Sequence, residues 1–484
     1  MKKLISILMA LVMAFTLCVP AFAADDDYYY DTGYEGNPVI VVRGIDFAGL
    51  TYADGTKALQ VNGGQLVSLL FKAFWSSLTL QGEETIADGI FEVAKGIFEP
   101  ISLNSEGNST NGVSMIQYPG PVSDYPELLY SLTDGAEPGI VKTAVEKYGP
   151  QNTYFFTYDW RKTPQQLAEE LNSYVVMAKE NSGKDKVNII CASMGCMVTT
   201  AYLHYYGSDS VDSCVYLSGA HNGTYVCGDA LNGRIVFDSQ VLVDFLNYSA
   251  GDNIMLKLFF GVFKALGAVD FITFVINDTV QTSFDRANDV MLRDTLGTMC
   301  GLWALCPDAD FESGVENIFG GHEADYPVLM EKLEETKRFV FSTQETLASA
   351  MENGTKISFV SNYNQPLIPI YERASVNGDS VLEAELTSNF ATVADFGKTL
   401  SNEYLEGKDR TLVSNDRVVD ASTAWFVENT WYVKDAPHVA ADYGTQFSDF
   451  TFTLLESPVQ PTVDTFPEYP RFMAADAELN LTAN

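Results

Sequence analysis

The sequence predicts an α/β fold in which a mostly parallel sheet is covered by helices on both faces. Short apolar runs rich in β-branched residues alternate along the chain with longer segments of helical periodicity, which is typical of a parallel sheet. The runs are apolar throughout rather than alternating, as expected of strands that are buried on both faces. The chain has 484 residues, of which 46% are hydrophobic, so it has ample material for one large core with insertions.

The first predicted strand is 37–42, a β-branched run that ends at Arg43 and Gly44. Further buried strands are predicted at 153–157, 187–190, 213–217, 356–360 and 430–433. Helical patterns lie between them, at 65–75, 84–97, 139–148, 163–181, 197–206 and 326–351. This order predicts that consecutive strands are joined by helices that pack against the sheet.

The N-terminus has the pattern of a secretory signal peptide at 1–23. Lys2 and Lys3 precede an apolar stretch at 4–17, and a small-x-small site ends at Ala23, just before an acidic run. We expect cleavage after Ala23 and a protein that is secreted, either to the outside of the cell or into the cell envelope.

The acidic composition limits the partners. A net charge of −35 repels nucleic acid and anionic membranes, so we expect no nucleic-acid partner. The charge favours solubility outside the cell, but it indicates neither a chemistry nor an oligomeric state.

The cysteines permit disulfides without requiring them. Cys18 belongs to the signal segment, and the other six form an even number in an oxidising compartment. Cys300 and Cys306 lie in a short loop that can close on itself, whereas Cys191 and Cys196 are predicted to be small buried fillers. No pair has zinc-finger spacing with histidines, so we expect neither a metal ion nor another cofactor.

The predicted organisation is one cored domain at 24–456. An insertion at about 222–355 separates two of the predicted strands and is a candidate cap over a pocket. The remaining 457–484, which contains four prolines, is predicted to be a C-terminal tail that is extended or partly disordered.

The insertion contains an apolar stretch at 254–276. Lys257, Lys264 and Asp270 interrupt this stretch within the length that a bilayer span requires. We expect it to form the core of the cap, with a lipid-binding surface as the alternative.

Ser193 lies at a predicted strand–turn–helix junction, in the sequence CASMGC at 191–196. A serine on such a turn has a strained backbone and an exposed hydroxyl, and it needs small residues two positions before and after it. Gly195 meets this requirement fully and Cys191 meets it approximately. Ser193 is therefore the candidate nucleophile, against the alternative of a buried turn serine without a role.

A serine nucleophile needs an imidazole to take its proton and a carboxylate to orient that imidazole. Of the four histidines, His204 lies on the helix after the serine, His221 follows the next strand and His322 lies in the insertion. His438 alone follows the last predicted strand, which fits the chain order serine, acid, histidine.

The candidate acid is expected between the strands at 356–360 and 430–433. Asp416 is the first choice, because an aspartate at a turn that is followed by apolar residues and a serine can direct its carboxylate toward the imidazole loop. Asp420 is the second choice and Asp379 the third. Asp395 and Asp409 qualify by position alone.

Together these residues resemble the lecithin:cholesterol acyltransferase family, a branch of the α/β-hydrolases. The segment 158–161 matches its tyrosine–aspartate–tryptophan–arginine motif in full. Segments 38–45, 191–196, 415–419 and 437–438 are similar to its first strand and oxyanion loop, nucleophile turn, acid turn and histidine loop. The sequence departs from the family at Arg43, which stands where the family usually has proline, and at Cys191, Ala192 and Cys196.

The resemblance implies an α/β-hydrolase fold with a large cap insertion, and an oxyanion held by the backbone N–H groups of Ile45 and Met194. It also implies a serine hydrolase that acts on lipid-like carboxylic esters through an acyl-enzyme. Water as acceptor makes such an enzyme a lipase or phospholipase, and an alcohol makes it an acyltransferase. The expected partner is a lipid or ester substrate, and transient contact with a lipid surface is compatible with this function.

Three other interpretations of these residues stay open. Arg161 is expected to be structural, pairing with a carboxylate near Asp159 at the sheet edge. A peptidase or short-chain esterase is an alternative enzyme, but a bulky apolar cap over the site does not suit its substrates. A non-catalytic secreted binding protein on the same fold is the alternative from another class, favoured by the changes at Cys191, Ala192 and Cys196.

Overall fold

A computed structural model describes residues 32–59, 98–133 and 139–484, apart from residues 48, 252–253, 266, 268, 271–272, 275–276 and 279–291. The predicted signal segment at 1–23 and the predicted helices at 65–75 and 84–97 lie outside the described residues.

The described residues contain a large central sheet and two small ones. The strands are β1 (Val39–Val42), β2 (Leu50–Thr51), β3 (Ser114–Met115), β4 (Thr153–Phe156), β5 (Val187–Ala192), β6 (Val211–Leu217), β7 (Lys356–Tyr363), β8 (Thr392–Val393), β9 (Val419–Asp420), β10 (Thr430–Lys434), β11 (Phe472–Ala475) and β12 (Leu481–Ala483). Eight of them form the central sheet in the order β12-β11-β10-β7-β6-β5-β1-β4, and every neighbouring pair except β11 and β12 is parallel. The predicted mostly parallel α/β sheet is confirmed.

Helices surround this sheet. Those described are α1 (Pro126–Thr133), α2 (Gly139–Tyr148), α3 (Pro164–Ser182), α4 (Met194–Tyr206), α5 (Tyr225–Leu231), α6 (Ser239–Ser249), α7 (Ile254–Ala265), α8 (Cys300–Trp303), α9 (Asp308–Phe319), α10 (Pro327–Phe341), α11 (Thr343–Glu352), α12 (Ala384–Thr387), α13 (Ala440–Tyr443) and α14 (Thr445–Leu455). Short 3-10 turns lie at Glu99–Ile101, Val122–Asp124, Leu296–Thr298, Glu323–Asp325, Arg410–Leu412, Ala421–Thr423 and Val427–Asn429.

The sheet is buried on both faces, because successive side chains of a strand point to opposite sides. In β1, Ile40 and Val42 join the core on the side of α3 and α4, whereas Val39 and Val41 join the core on the side of α2 and α14. This double burial explains why the central strands are continuous apolar runs in the sequence.

One predicted helix is divided in the structure, and the C-terminal segment takes one of its two predicted forms. The helix predicted at 326–351 divides into α10 and α11 at Ser342, whose hydroxyl donates a hydrogen bond to the Phe339 carbonyl oxygen at 2.7 Å and so competes with the helical backbone. The segment 457–484, predicted to be extended or partly disordered, is extended where β11 pairs with β10 and β12 pairs with β11 at the edge of the central sheet.

The predicted insertion at about 222–355 forms the helices α5 to α11. Four of them, α5, α8, α9 and α10, share an apolar cluster around Trp303 and Phe319. None of the helices among the described residues has both the length and the apolar character needed to span a bilayer.

Because β1, β5, β7 and β10 are parallel, the loops that follow them leave from the same edge of the sheet. Ser193 directly follows β5, Asp379 lies in the loop after β7, and His438 lies in the loop after β10. The fold therefore brings the three segments to one edge.

Candidate active site

Ser193 occupies a strained turn between β5 and α4, with φ 53° and ψ −128°. A non-glycine residue in such a conformation persists only where the surrounding structure holds it. Here the Ser193 N–H donates to the Leu217 carbonyl oxygen at 3.0 Å, and the Ser193 carbonyl oxygen accepts from the N–H groups of Ala220 at 2.9 Å and Cys196 at 3.1 Å. The backbone of the candidate nucleophile is thus fixed from both sides.

Two glycines allow the loop after β1 to lie against this turn. A Cβ at Gly195 would be 2.5 Å from the carbonyl oxygens of Val42 and Arg43. A Cβ at Gly44 would be 2.9 Å from the Ser193 Cβ. The predicted need for a small residue at 195 therefore has a steric reason, which is the close approach of β1 to the turn.

The cysteines around Ser193 are packing residues. Cys191 and Cys196 are both fully buried and free, as predicted for small fillers. Burial raises the pKa of the Cys191 thiol well above its ordinary value, which keeps it protonated. Cys300 and Cys306 are also free, so the loop closure considered for this pair is not formed.

His438 is paired with Asp379, and not with Asp416. The Nδ1 atom of His438 lies 2.8 Å from Oδ2 of Asp379, whose side chain is completely buried. The other oxygen of Asp379, Oδ1, accepts hydrogen bonds from the N–H groups of Val381 at 3.0 Å and Leu382 at 2.8 Å. A carboxylate can only accept, so Nδ1 of His438 carries a proton and Nε2 is left as the basic nitrogen.

The first and second choices for the acid have other partners. The Asp416 carboxylate lies 3.0 Å from the Lys434 ammonium and accepts from the Ser414 hydroxyl at 2.6 Å. Burial alone raises the pKa of Asp416, but the hydrogen bonds from Ser414 and Lys434 bring it below its ordinary value. Asp420 lies 3.0 Å from Lys408. The choice of Asp416 as the residue that orients His438 is corrected to Asp379.

The other histidines are engaged elsewhere. His221 is buried with Nε2 at 2.9 Å from the Asn389 side-chain oxygen, and burial lowers its pKa to about 4. His204 contacts the hydroxyl of Ser342 at 3.0 Å, between α10 and α11. His322 lies 3.5 Å from the exposed Asp325 in the insertion. Of the four, His438 is the one that faces a buried carboxylate.

Ile45 and Met194 offer backbone N–H groups next to the serine. Met194 is the first residue of α4, whose first-turn N–H groups have no partner within the helix. Ile45 follows Gly44, the residue that lies against Ser193. Neither N–H donates a hydrogen bond to any of the described residues. Neither group is therefore engaged elsewhere among the described residues, and their role as oxyanion donors stays a prediction.

Among the described residues, the hydroxyl of Ser193 forms no hydrogen bond with His438. Catalytic hydrogen bonds are often long in a free enzyme and tighten only when a substrate is bound. Burial raises the pKa of the Asp442 carboxyl, and the charges of Arg43 and His438 lower it, which leaves it at about 6. Arg43 immediately precedes Gly44 at the serine.

The segment 158–161 is structural, as predicted. The guanidinium of Arg161 is completely buried and binds both oxygens of Asp159, at 2.8 Å and 2.6 Å. It also donates to the carbonyl oxygens of Ile101 at 2.8 Å and Val113 at 2.9 Å. Sequence reasoning missed the role of Tyr158, whose hydroxyl donates to the Arg43 carbonyl oxygen at 2.9 Å and so braces the loop after β1.

Within the described part of the chain, no group of three or more His, Cys, Asp or Glu side chains is placed to hold a metal ion.

Comparisons with known proteins give a weak structural similarity. No protein-family model and no curated protein sequence matches the chain. The structure is similar to a chain of the crystal structure of the Tle4–Tli4 complex, with 10% identity, coverage of 67% of this chain and 75% of that chain, and a TM-score of 0.30. A similarity at this level carries no argument about function, so the resemblance to the lecithin:cholesterol acyltransferase family depends on the sequence motifs alone.

Proposed function

We propose that the protein is a secreted serine hydrolase that cleaves or transfers acyl groups of lipid-like carboxylic esters, related to the lecithin:cholesterol acyltransferase branch of the α/β-hydrolases. The observation that carries the proposal is the pairing of His438 with the buried Asp379, at the sheet edge where Ser193 occupies its strained turn. A buried carboxylate that holds an imidazole in one tautomer is what a serine nucleophile requires.

The proposed reaction has two steps. Nε2 of His438 takes the proton of the Ser193 hydroxyl while the serine oxygen attacks the ester carbonyl, and the N–H groups of Ile45 and Met194 stabilise the oxyanion. His438 then gives the proton to the leaving alcohol, which leaves an acyl-enzyme. Water or a second alcohol, deprotonated by His438, releases the acyl group. Asp379 stabilises the imidazolium that forms in each step.

The preference for lipid substrates is supported by helix α7 in the insertion. Ile254, Met255, Leu258 and Val262 are 71%, 75%, 59% and 55% exposed, and three of them recur at helical spacing on one face. Apolar residues exposed together are typical of a surface that contacts a partner or a lipid. The net charge of the chain is −35, but α7 contains two lysines and no acidic residue. The positive charge of α7 therefore suits contact with lipid phosphates better than the charge of the rest of the chain does.

In the same proposal, 1–23 is a signal peptide that directs the chain out of the cytoplasm, and the insertion acts as a cap over the ester-binding site. The stretch at 254–276, expected to be cap core, contributes through α7 a face that makes transient contact with uncharged or zwitterionic lipid.

The experiment that tests the function is labelling with two alkyl fluorophosphonates, one of short and one of long chain. We expect both to modify Ser193, as located by mass spectrometry of the digested protein, and the long-chain reagent to react faster because apolar chain is buried in the site. Faster reaction of the short-chain reagent would favour a short-chain esterase or peptidase. The absence of any labelling would contradict the enzyme proposal and favour the binding protein.

The lipid contact of α7 has a separate test. Replacing Val262 by Asp is expected to weaken binding to phosphatidylcholine vesicles by about tenfold or more, because burying one valine is worth about 1.5 kcal/mol. Val459 is a matched control, since it is 59% exposed but lies near the C-terminus. Vesicle sedimentation with Val262→Asp and Val459→Asp measures the difference. Equal binding of the two variants would contradict the assignment of α7.

A further inference from the structure

The loop that follows β1 is closed by its own side chains. Nη1 of Arg43 lies 3.3 Å from Oδ2 of Asp46, and Oδ1 of Asp46 accepts the N–H of Gly49 at 3.0 Å. Ile45, the proposed oxyanion donor, lies between the two charged residues in the chain. One carboxylate therefore ties together the residues on both sides of this donor.

The ion pair is sheltered from solvent. The side chains of Arg43 and Asp46 are 24% and 12% exposed, so water and salt screen their attraction less than that of a surface pair. The pair also acts together with the hydrogen bond to Gly49, and a carboxylate that accepts from an N–H and binds a guanidinium has little freedom to move.

Arg43 is in turn anchored to the neighbouring strand. Its N–H donates to the Phe156 carbonyl oxygen at 3.2 Å, and its carbonyl oxygen accepts from the Tyr158 hydroxyl at 2.9 Å. Its guanidinium lies over the Phe155 ring, 5.7 Å from the centroid. The ion pair therefore connects the loop to the neighbouring strand of the central sheet.

The side of the loop that faces Ser193 is closely packed. Gly44 lies against Ser193, and Gly195 leaves no space for a side chain below the carbonyl oxygens of Val42 and Arg43. A small shift of the loop therefore changes the position of the Ile45 N–H relative to the serine oxygen. Oxyanion donors act only within a narrow range of distance, about 2.7–3.1 Å from the charged oxygen.

We propose that Asp46 and Arg43 are positioning residues for the oxyanion donor, and that their ion pair holds the Ile45 N–H at the place where the ester oxygen becomes charged. This inference rests on the proposed function. Neither residue exchanges a proton with the substrate, so both act on the rate through the backbone of Ile45.

The test uses a graded set of substitutions at one position. Asp46→Asn keeps an oxygen that accepts the Gly49 N–H and removes the ion pair, whereas Asp46→Ala removes both. We expect kcat to fall about tenfold in Asp46→Asn and up to about 100-fold in Asp46→Ala, since loss of one oxyanion donor costs 10²–10³ in kcat. KM is expected to stay within about twofold, because the oxyanion interaction forms in the transition state.

A second measurement separates positioning from simple stability. An alkyl boronic acid binds serine hydrolases as a tetrahedral adduct, so its inhibition constant is expected to weaken by the same factor as kcat/KM, while the melting temperature stays close to that of the wild type. Arg43→Gln is expected to reproduce Asp46→Asn, and the two together are expected to be no worse than either alone. Lys398→Gln, which removes the exposed pair with Asp395 at the same spacing, is the matched control.

The inference is overturned if Asp46→Ala keeps both kcat and the boronic acid inhibition constant within twofold of the wild type. If the alanine variant does not fold, the same criterion applies to Asp46→Asn and Arg43→Gln. The proposed function fails separately, if Ser193→Ala retains the activity of the wild type. Loss of activity in Ser193→Ala with full activity in the Asp46 variants therefore rejects the positioning role alone.

Discussion

Replacing Ser193 by alanine is expected to lower kcat for a long-chain ester by about 10⁶-fold, and replacing His438 by alanine is expected to have a similar effect. Without the hydroxyl no acyl-enzyme forms, and without the imidazole the hydroxyl keeps its proton and stays a weak nucleophile. Because both groups act in one step, the double variant is expected to be no slower than either single variant. The residual rate then comes from substrate binding and the oxyanion donors alone.

Steady-state kinetics on folded protein measures this effect, with circular dichroism to verify the fold of each variant. His322→Ala is the matched histidine control, since His322 is exposed in the insertion and pairs with an exposed aspartate. Its kcat is expected to equal that of the wild type. If Ser193→Ala keeps a tenth of the activity, another group is the nucleophile and the proposed function is wrong.

The central sheet was predictable because its strands carry a local signal. A parallel strand buried on both faces must be apolar along its whole length, so β1, β4, β5, β6, β7 and β10 stand out as short apolar runs. The helix predicted at 139–148 coincides with α2 because it too has a local signal, namely buried residues that recur at helical spacing. The position of Ser193 followed directly, because the turn between β5 and α4 joins two such elements.

The acid was not predictable, because its role depends on where a loop distant in sequence lies relative to His438. Aspartates are frequent in turns for their bonds to nearby backbone N–H groups, and Asp379, Asp416 and Asp420 all make such bonds. What distinguishes Asp379 is that the loop after β7 returns to the sheet edge beside His438. No local pattern in the sequence specifies that return.

That the C-terminal segment pairs with the central sheet as β11 and β12 was not predicted, for a related reason. The prolines before Phe472 suggest an irregular segment, and the strand Phe472–Ala475 has only four residues. Its pairing with β10 comes from a distant part of the chain, and short edge strands have little pattern of their own. Sequence reasoning identifies elements better than it identifies their distant partners.

Replacing Asp379 by asparagine is expected to lower kcat by about 10⁴-fold without unfolding the protein. The N–H groups of Val381 and Leu382 require an acceptor at the position of Oδ1, so the asparagine oxygen takes that place and its NH₂ group faces His438. An NH₂ group donates to Nδ1, which moves the imidazole proton to Nε2. In that tautomer the Nε2 atom of His438 has no lone pair to accept the proton of Ser193.

Asp416→Asn is the matched control for the Asp379 variant, because it makes the same chemical change at the residue that the sequence favoured. Its carboxylate binds Lys434 and Ser414 rather than His438, so kcat is expected to stay within about twofold of the wild type. Loss of the partly buried ion pair is expected to lower the free energy of unfolding by about 1 kcal/mol, measured by denaturant titration. The opposite result, a large loss of kcat in Asp416→Asn and a small one in Asp379→Asn, would mean that the loop after β7 moves away from His438 during catalysis and that Asp416 is the acid.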